Sequence, residues 1–262
     1  SSTNLYFPVA FMLGELYLWM GEYEKAAMEY YNLMSEQGYR IVDYYRSLWS
    51  VINGVFVMPE NIDWWYIFEL SASDAEQITM IAGSKEFGEG SFIDSVMYFK
   101  HEVAPSGVSI SNWDDQVYYH NSTAVNQGDL RALGSYFNSD VTTNTGSNIG
   151  FGISLPEPGI IGKYLEMSTS TSRAVYIYRS GLLYLRYAEA VNRAGKPNLA
   201  FAVLKNGLSQ KTMETDTLVP PAEKYLNPSD STLYPYMDFG DIMFDDNIGI
   251  HARGCGNTHL SP

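Results

Sequence analysis

Gly21 and Gly195 each sit between two stretches whose apolar residues recur at helical spacing, and this constrains the fold more than any other feature of the chain. Phe7 to Met20 is apolar nearly all round, which predicts a helix buried on every side. Gly21 ends it, because glycine takes up the left-handed conformation of a helix stop at no steric cost. Glu22 opens a second helix, from about Tyr23 to Gln37, with Gly38 as its stop. Ala26, Met28, Tyr30, Leu33 and Met34 give that helix an apolar face, and Glu22, Glu24, Lys25 and Glu29 lie largely outside it. Downstream, Leu182 to Ala194 reads as a helix, Gly195-Lys196-Pro197 as a turn, and Asn198 to about Leu208 as a return helix capped by Asn198. Superposing Gly21 on Gly195 pairs Leu13 with Tyr187, Gly14 with Ala188 and Ala26 with Ala200. Small residues at fixed offsets about a tight turn let paired helices approach closely, which is the logic of a tetratricopeptide hairpin. Two copies so far apart predict hairpins at about 6–38 and 182–208 and no regular solenoid.

Between the hairpins the pattern changes. Trp64 to Leu70 reads as an extended apolar strand and Met97-Tyr98-Phe99 as another short one. From Ser106 to Gly152 the chain is rich in Ser, Asn, Gly, Thr, Asp and aromatics with little helical period, and Asn138 to Gly150 reads as surface loop. After Lys205 it becomes loop-like again, punctuated by Pro220, Pro221, Pro228 and Pro235. The expected architecture is mainly α: one domain spanning residues 1–262, with tetratricopeptide-like hairpins framing a loop-rich region at about 105–160 and a few short strands. Long loops inside a folded domain are commonly functional, so region 105–160 is the expected ligand-facing part.

Charge excludes whole classes of partner. The 262 residues carry 16 basic and 30 acidic side chains, a formal charge of −14. Nucleic-acid binding rests on concentrated Lys and Arg, as does docking on an anionic membrane surface, and neither is available here. With 45% apolar and only 18% charged residues the chain is a folded one. The segment from Leu5 to Met20 is interrupted by Glu15 and too short to span a bilayer. It lacks the basic start and small-residue cleavage site of a signal peptide. Cys255 is the single cysteine, so no internal disulfide forms.

Motifs of catalysis fail on context. Asp238-Phe239-Gly240 spells a kinase tripeptide without the loops that a kinase needs. Gly159 to Lys163 has phosphate-loop flavour at the wrong spacing. Asp241, Asp245 and Asp246 lack the alternating ligand order of a calcium loop, and a solvated acidic loop is the plainer reading. His101, His120, His251 and His259 never fall at zinc spacing, and nothing pairs Cys255 with a histidine as a nucleophile. Asp114-Asp115 invites a glycosidase reading, but sequence neighbours do not define the separation such a pair requires. No catalytic residue, metal ligand or cofactor is therefore assigned.

The segment Asn112 to His120 is the strongest binding candidate. Trp113, Tyr118 and Tyr119 lie beside Asp114, Asp115 and two amides in an expected loop. Aromatic faces stack on the C–H faces of sugar rings while carboxylates and amides pair with hydroxyls. The alternative, that Trp113 and Tyr118 pin a long loop by burial, stays open beside it. The aromatic excess of 21 Tyr, 12 Phe and 5 Trp suits stacking on a flat or semi-apolar ligand.

Taken together, the two hairpins resemble the SusD/RagB-like family. Tyr6-Phe7-Pro8 with Leu13 to Ala27 is similar to its first helical pair. Tyr178 to Lys196 is similar to its hallmark, an arginine leading into Tyr-Leu-x-Tyr-Ala-Glu-Ala-x-Asn-Arg-x-Gly. Gly128-Asp129-Leu130-Arg131 resembles its Asp-x-Arg element, and Ile248 to Gly254 a late loop of some members. The resemblance implies a non-enzymatic outer-membrane lipoprotein on the cell surface of a Bacteroidetes-type bacterium. Such a protein binds oligosaccharides, or peptides in some branches, and caps a SusC-like TonB-dependent transporter. It implies that the loop-rich part forms the ligand surface, in which Trp113, Asp114, Asp115, Tyr118 and Tyr119 are the candidate residues, and Arg186 and Glu189 on the hallmark helix read as structural pairing partners. Family members are longer and begin with a lipidated cysteine, so the reading expects a fragment lacking both ends, with its lipid anchor outside these residues. A helical-repeat scaffold that binds only proteins is the reading from another class.

Overall fold

A computed structural model of the chain describes residues 7–41, 50–52, 55–57, 76–84, 86, 96–97, 100, 102–120, 123–126, 135–137, 159–161, 172–227, 229 and 231–252. Two compact units are present, one built from residues 1–43, 72–81 and 176–250 and the other from 44–71, 82–175 and 251–262.

The first unit holds both hairpins. Helix α1 runs Val9–Met20 and helix α2 runs Tyr23–Gln37. Gly21 joins them at φ 80°, donating to the Leu18 carbonyl while Glu22 donates to the Tyr17 carbonyl. These two bonds satisfy carbonyls that a helix end otherwise leaves unpaired. The turn between Ser180–Arg193 and Pro197–Lys205, here α4 and α5, repeats it: Gly195 lies at φ 82°, donates to Asn192, and Lys196 donates to Val191. One stop chemistry thus builds both hairpins. Helix α2 packs on α4, and α1 on both. Ala26, Ala27, Ala188, Ala190 and Ala200 are buried, as closely approaching helices require. Gly14 faces the Tyr30 ring, and a Cβ there would lie 2.4 Å from Tyr30 Cε1, so no larger residue fits without displacement.

Three expectations are corrected. Of α1 only Phe11 and Gly14 are buried, while Val9, Met12, Leu13, Leu16, Trp19 and Met20 are exposed, because α2 and α4 cover one side only. Asn198 is not the cap of α5: the helix starts at Pro197, whose missing N–H is no loss in a first turn. Glu223 does the capping, its carboxylate accepting from the backbone N–H of Asn198 at 3.3 Å and of Leu199 at 2.9 Å. The chain beyond Lys205 is not plain loop. It forms short helices α6 (Gln210–Glu214) and α7 (Pro221–Lys224), a two-stranded ladder of Tyr225–Asn227 with Thr232–Leu233, and a 3-10 turn at Ile242–Phe244.

This terminal stretch straps the hairpins together. Tyr236, Met237, Phe239 and Phe244 join the core formed by Tyr30, Leu33, Met34, Tyr184, Tyr187 and Val191. The Tyr187 hydroxyl donates to the Tyr236 carbonyl at 2.7 Å. Lys196, buried at the second turn, pairs with Glu24 Oε1 at 3.2 Å and lies 4.1 Å from the Tyr234 ring centroid. Tyr236 donates to the same Glu24 oxygen at 3.0 Å. A buried ammonium held by a carboxylate and an aromatic face meets the cost of its own desolvation. Two strands, Gln77–Ser84 and Ser172–Arg179, pair with each other, and the second runs directly into α4.

In the second unit Ser50–Ile52 pairs antiparallel with Val55–Val57, and Tyr136–Phe137 with Ile160–Ile161. Between them in sequence lie helix α3 (Gly107–Asp114) and a hairpin. Helix is the principal regular structure among the described residues, and each strand ladder among them has two strands, consistent with a mainly α chain. Met97, the first residue of the expected strand Met97-Tyr98-Phe99, is helical together with Val96. Trp64–Leu70, Tyr98, Phe99, Asn138–Gly150 and the Gly128–Arg131 element lie outside the described residues.

Candidate functional site

The segment carrying Trp113 is not a loop. Ser106 caps helix α3, Gly107–Asp114, its hydroxyl accepting from the Ser109 N–H at 3.1 Å. Satisfying one of the free N–H groups of a first turn is what makes serine a good helix start. Asp115 closes the helix, its N–H donating to the Ser111 carbonyl at 2.8 Å, and Gln116 donates to the Trp113 carbonyl at 3.3 Å. Val117–His120 then pairs antiparallel with Thr123–Asn126, with Tyr118 opposite Val125 and Tyr119 opposite Ala124.

This geometry changes how the predicted site residues relate. Trp113 sits in the last turn of α3, half-buried and in contact with neighbours, and Asp115 is exposed immediately after it. Asp114 is the last helical residue. Positions 118 and 119 fall on opposite faces of the ladder, since successive strand residues alternate. The side chains of Asp114, Tyr118 and Tyr119 lie outside the described residues. An aromatic body with an exposed carboxylate two residues on is chemistry that stacks and hydrogen-bonds.

Acidic residues elsewhere have local work. Asp241 Oδ1 accepts from Met243 N–H at 3.0 Å, Asp238 Oδ1 from Gly240 N–H at 3.2 Å, and Asp246 pairs with Arg40 at 2.8 Å. Among the described residues no group of three or more His, Cys, Asp and Glu side chains could hold a metal ion. No described helix is long and apolar enough to cross a membrane. Cys255, His101 and His259 lie outside the described residues.

On helix α4, Arg186 Nε lies 2.8 Å from Glu15 Oε1 of α1 and its Nη1 3.1 Å from Glu189 Oε2. Arg193 pairs with the other Glu189 oxygen at 2.9 Å, and the Tyr30 hydroxyl donates to Glu15 at 2.9 Å. Burial, then the hydrogen bond and charge of Glu15, hold the Tyr30 hydroxyl well above its ordinary pKa. Arg186 thus joins α4 to α1, while Glu189 pairs along α4 itself. Reading the sequence missed Asn247, Glu223 and Lys196, polar residues that the fold buries and satisfies. Their partners are distant in the chain, so no local spacing marked them.

Comparison of the chain with protein-family models, with curated proteins and with solved structures finds no match.

Proposed function

We propose that this chain belongs to a non-catalytic, cell-surface oligosaccharide-binding protein that delivers its ligand to a SusC-like TonB-dependent outer-membrane transporter. In this reading the two hairpins are tetratricopeptide-type pairs, and a lipid anchor holds the full-length protein to the outer membrane. One observation carries the proposal. The segment resembling the SusD/RagB hallmark is the helix on which the first unit is organised, with Leu183, Tyr184, Tyr187, Ala190 and Val191 buried and Arg186 and Glu189 paired across to α1 and along α4. The residues of the resemblance are therefore those that do the packing, as a scaffold motif should be.

Ligand recognition is assigned to the end of α3, through Trp113 and Asp115, with Asp114, Tyr118 and Tyr119 as further candidates. The charge of −14 favours neutral or cationic ligands over acidic polysaccharides. The test is a glycan array on the full-length protein with a peptide library beside it, followed by titration calorimetry and thermal melts of Trp113→Ala. Neutral oligosaccharide binding, weakened more than tenfold at unchanged melting temperature, supports the reading, since loss of a well-packed binding aromatic commonly costs about 2 kcal/mol. Binding to peptides alone moves the assignment to a peptide-binding member. A lowered melting temperature with intact affinity makes Trp113 a packing residue. Binding to neither library overturns the proposal.

A further inference from the structure

The exposed face of α1 has the order of a helix–helix seam. Val9, Met12, Leu16 and Trp19 follow one another at alternating steps of three and four residues, and they are 69%, 50%, 57% and 86% exposed. Leu13 and Met20, 36% and 70% exposed, flank them on the same side. Alternating three- and four-residue steps keep side chains in line along a helix and are the spacing by which one helix docks into another. Six side chains exposed to this degree present roughly 700 Å² of apolar surface, more than the largest patch of a typical monomer. It is close to the ~800 Å² that each partner contributes to a standard protein interface.

We propose that this face is a homodimer interface, in which α1 of one copy packs antiparallel against α1 of a second copy about a two-fold axis at the level of Gly14. Three features select a second copy. The first is size order. In the antiparallel arrangement Val9 lies level with the second copy's Trp19, and Met12 with the second copy's Leu16, so each layer pairs a smaller side chain with a larger one or two of similar size. A parallel pair would stack Trp19 on Trp19 and leave Val9 facing Val9. A surface that complements itself about a two-fold axis is what an isologous interface requires. The second feature is charge. Two copies at −14 repel, yet the only ionisable residue of α1 besides Tyr17 is Glu15, turned inward to Arg186 and Tyr30. The seam therefore brings no like charges into contact. The third is the helix macrodipole, which favours antiparallel neighbours.

Sedimentation velocity and light scattering of the 262-residue chain over a range of concentrations test this, with Met12→Lys and Leu16→Glu as variants. Both side chains are half-exposed or more, so neither change disturbs the core, and helical circular dichroism verifies the fold. The expected result is a dimer that dissociates on dilution, weakened more than tenfold by either substitution alone. An equimolar mixture of the two variants should recover a 1:1 dimer, because the introduced charges then lie level with each other across the antiparallel seam. Phe201→Glu, at another exposed aromatic, should leave association unchanged. A wild-type chain that stays monomeric, a dimer indifferent to both substitutions, or a mixture that fails to recover association overturns the proposal.

Discussion

The side-chain amide of Asn247 donates to the hydroxyl of Tyr184 at 3.0 Å, deep inside the first unit. The same nitrogen donates to the Leu208 carbonyl at 2.9 Å, and the amide oxygen accepts from the Ile41 N–H at 3.0 Å. One buried side chain thereby joins the exit of α2, the middle of α4 and the segment after α5. Tyr184 passes the connection on, donating to the Tyr39 carbonyl at 2.9 Å. Asn247→Ala leaves the Ile41 N–H and the Leu208 carbonyl without this partner. Unsatisfied buried groups cost about 1–3 kcal/mol each, so the loss expected is about 2–6 kcal/mol. Urea denaturation of the variant measures it. Tyr184→Phe, which removes only the hydroxyl, should cost less.

Glu223 caps α5 from outside its own helix, accepting also from Asn198 Nδ2 at 2.6 Å. A carboxylate on the first-turn N–H groups gains from both the hydrogen bonds and the helix dipole. Glu223→Ala should cost about 1–3 kcal/mol, a charged hydrogen-bond partner being worth more than a neutral one. Glu223→Gln, which keeps one acceptor oxygen, should cost less than Glu223→Ala. Equal losses in the two variants, read from chemical denaturation, would argue against the charge.

Replacing Gly14 tests how closely α1 and α2 approach. A methyl group there meets the Tyr30 ring, which is held by its bond to Glu15 and its edge contact with Phe11. Gly14→Ala should therefore destabilise the unit by about 1–3 kcal/mol, although alanine is the better helix former. A more stable variant in thermal melts would mean that the ring gives way freely.

Alkaline pH should unfold the first unit steeply. Burial holds the hydroxyls of Tyr184 and Tyr187 above their ordinary pKa, and burial followed by the charge of Glu24 does the same for Tyr236. Tyr30 is raised by burial and by Glu15. The folded state therefore keeps protons that the unfolded chain releases near pH ~10. Stability from these groups is fully present below that value and is lost as pH rises from there through the raised values. Urea midpoints should be level up to about pH 10 and fall above it. The share of tyrosinate absorbance that comes from these four residues should appear only with unfolding. Gradual titration at constant stability would contradict this.

Absence of turnover is the expectation for any oligosaccharide or peptide substrate. It rests on the failure of every catalytic spacing in the sequence and on the local roles of Asp238, Asp241 and Asp246. Sustained product release by pure protein, abolished by one carboxylate substitution, would refute it.

Both hairpins were legible because their signals are local: glycine stops and apolar residues at helical spacing place α2 to the residue. Helix α3 was not, since Val108, Ile110 and three serines between 106 and 111 disfavour a helix that the Ser106 cap nevertheless starts. Strand Ser172–Arg179 carries an unbroken apolar run from Ala174 to Tyr178, whose periodicity does not separate a buried strand from the start of the helix it feeds. The exposure of α1 was unreadable in principle. Composition tells that a surface is apolar, and only the placement of neighbours tells whether anything covers it. For the candidate site, the residue types were legible but not their faces, since facing depends on the register of Val117–His120 with its partner strand.

The Ile41 carbonyl accepts from the Ile248 N–H at 3.0 Å, so the first hairpin is completed by residues made near the other end of the chain. On the ribosome, growing at about 5–20 residues per second, that partner emerges on the order of 10–40 s after α2 does. Until α4 and then the strap emerge, Tyr30, Leu33 and Met34 are displayed without those covers. The α1–α2 pair must therefore be shielded by its own packing or by a chaperone, and truncation before residue 247 should promote aggregation.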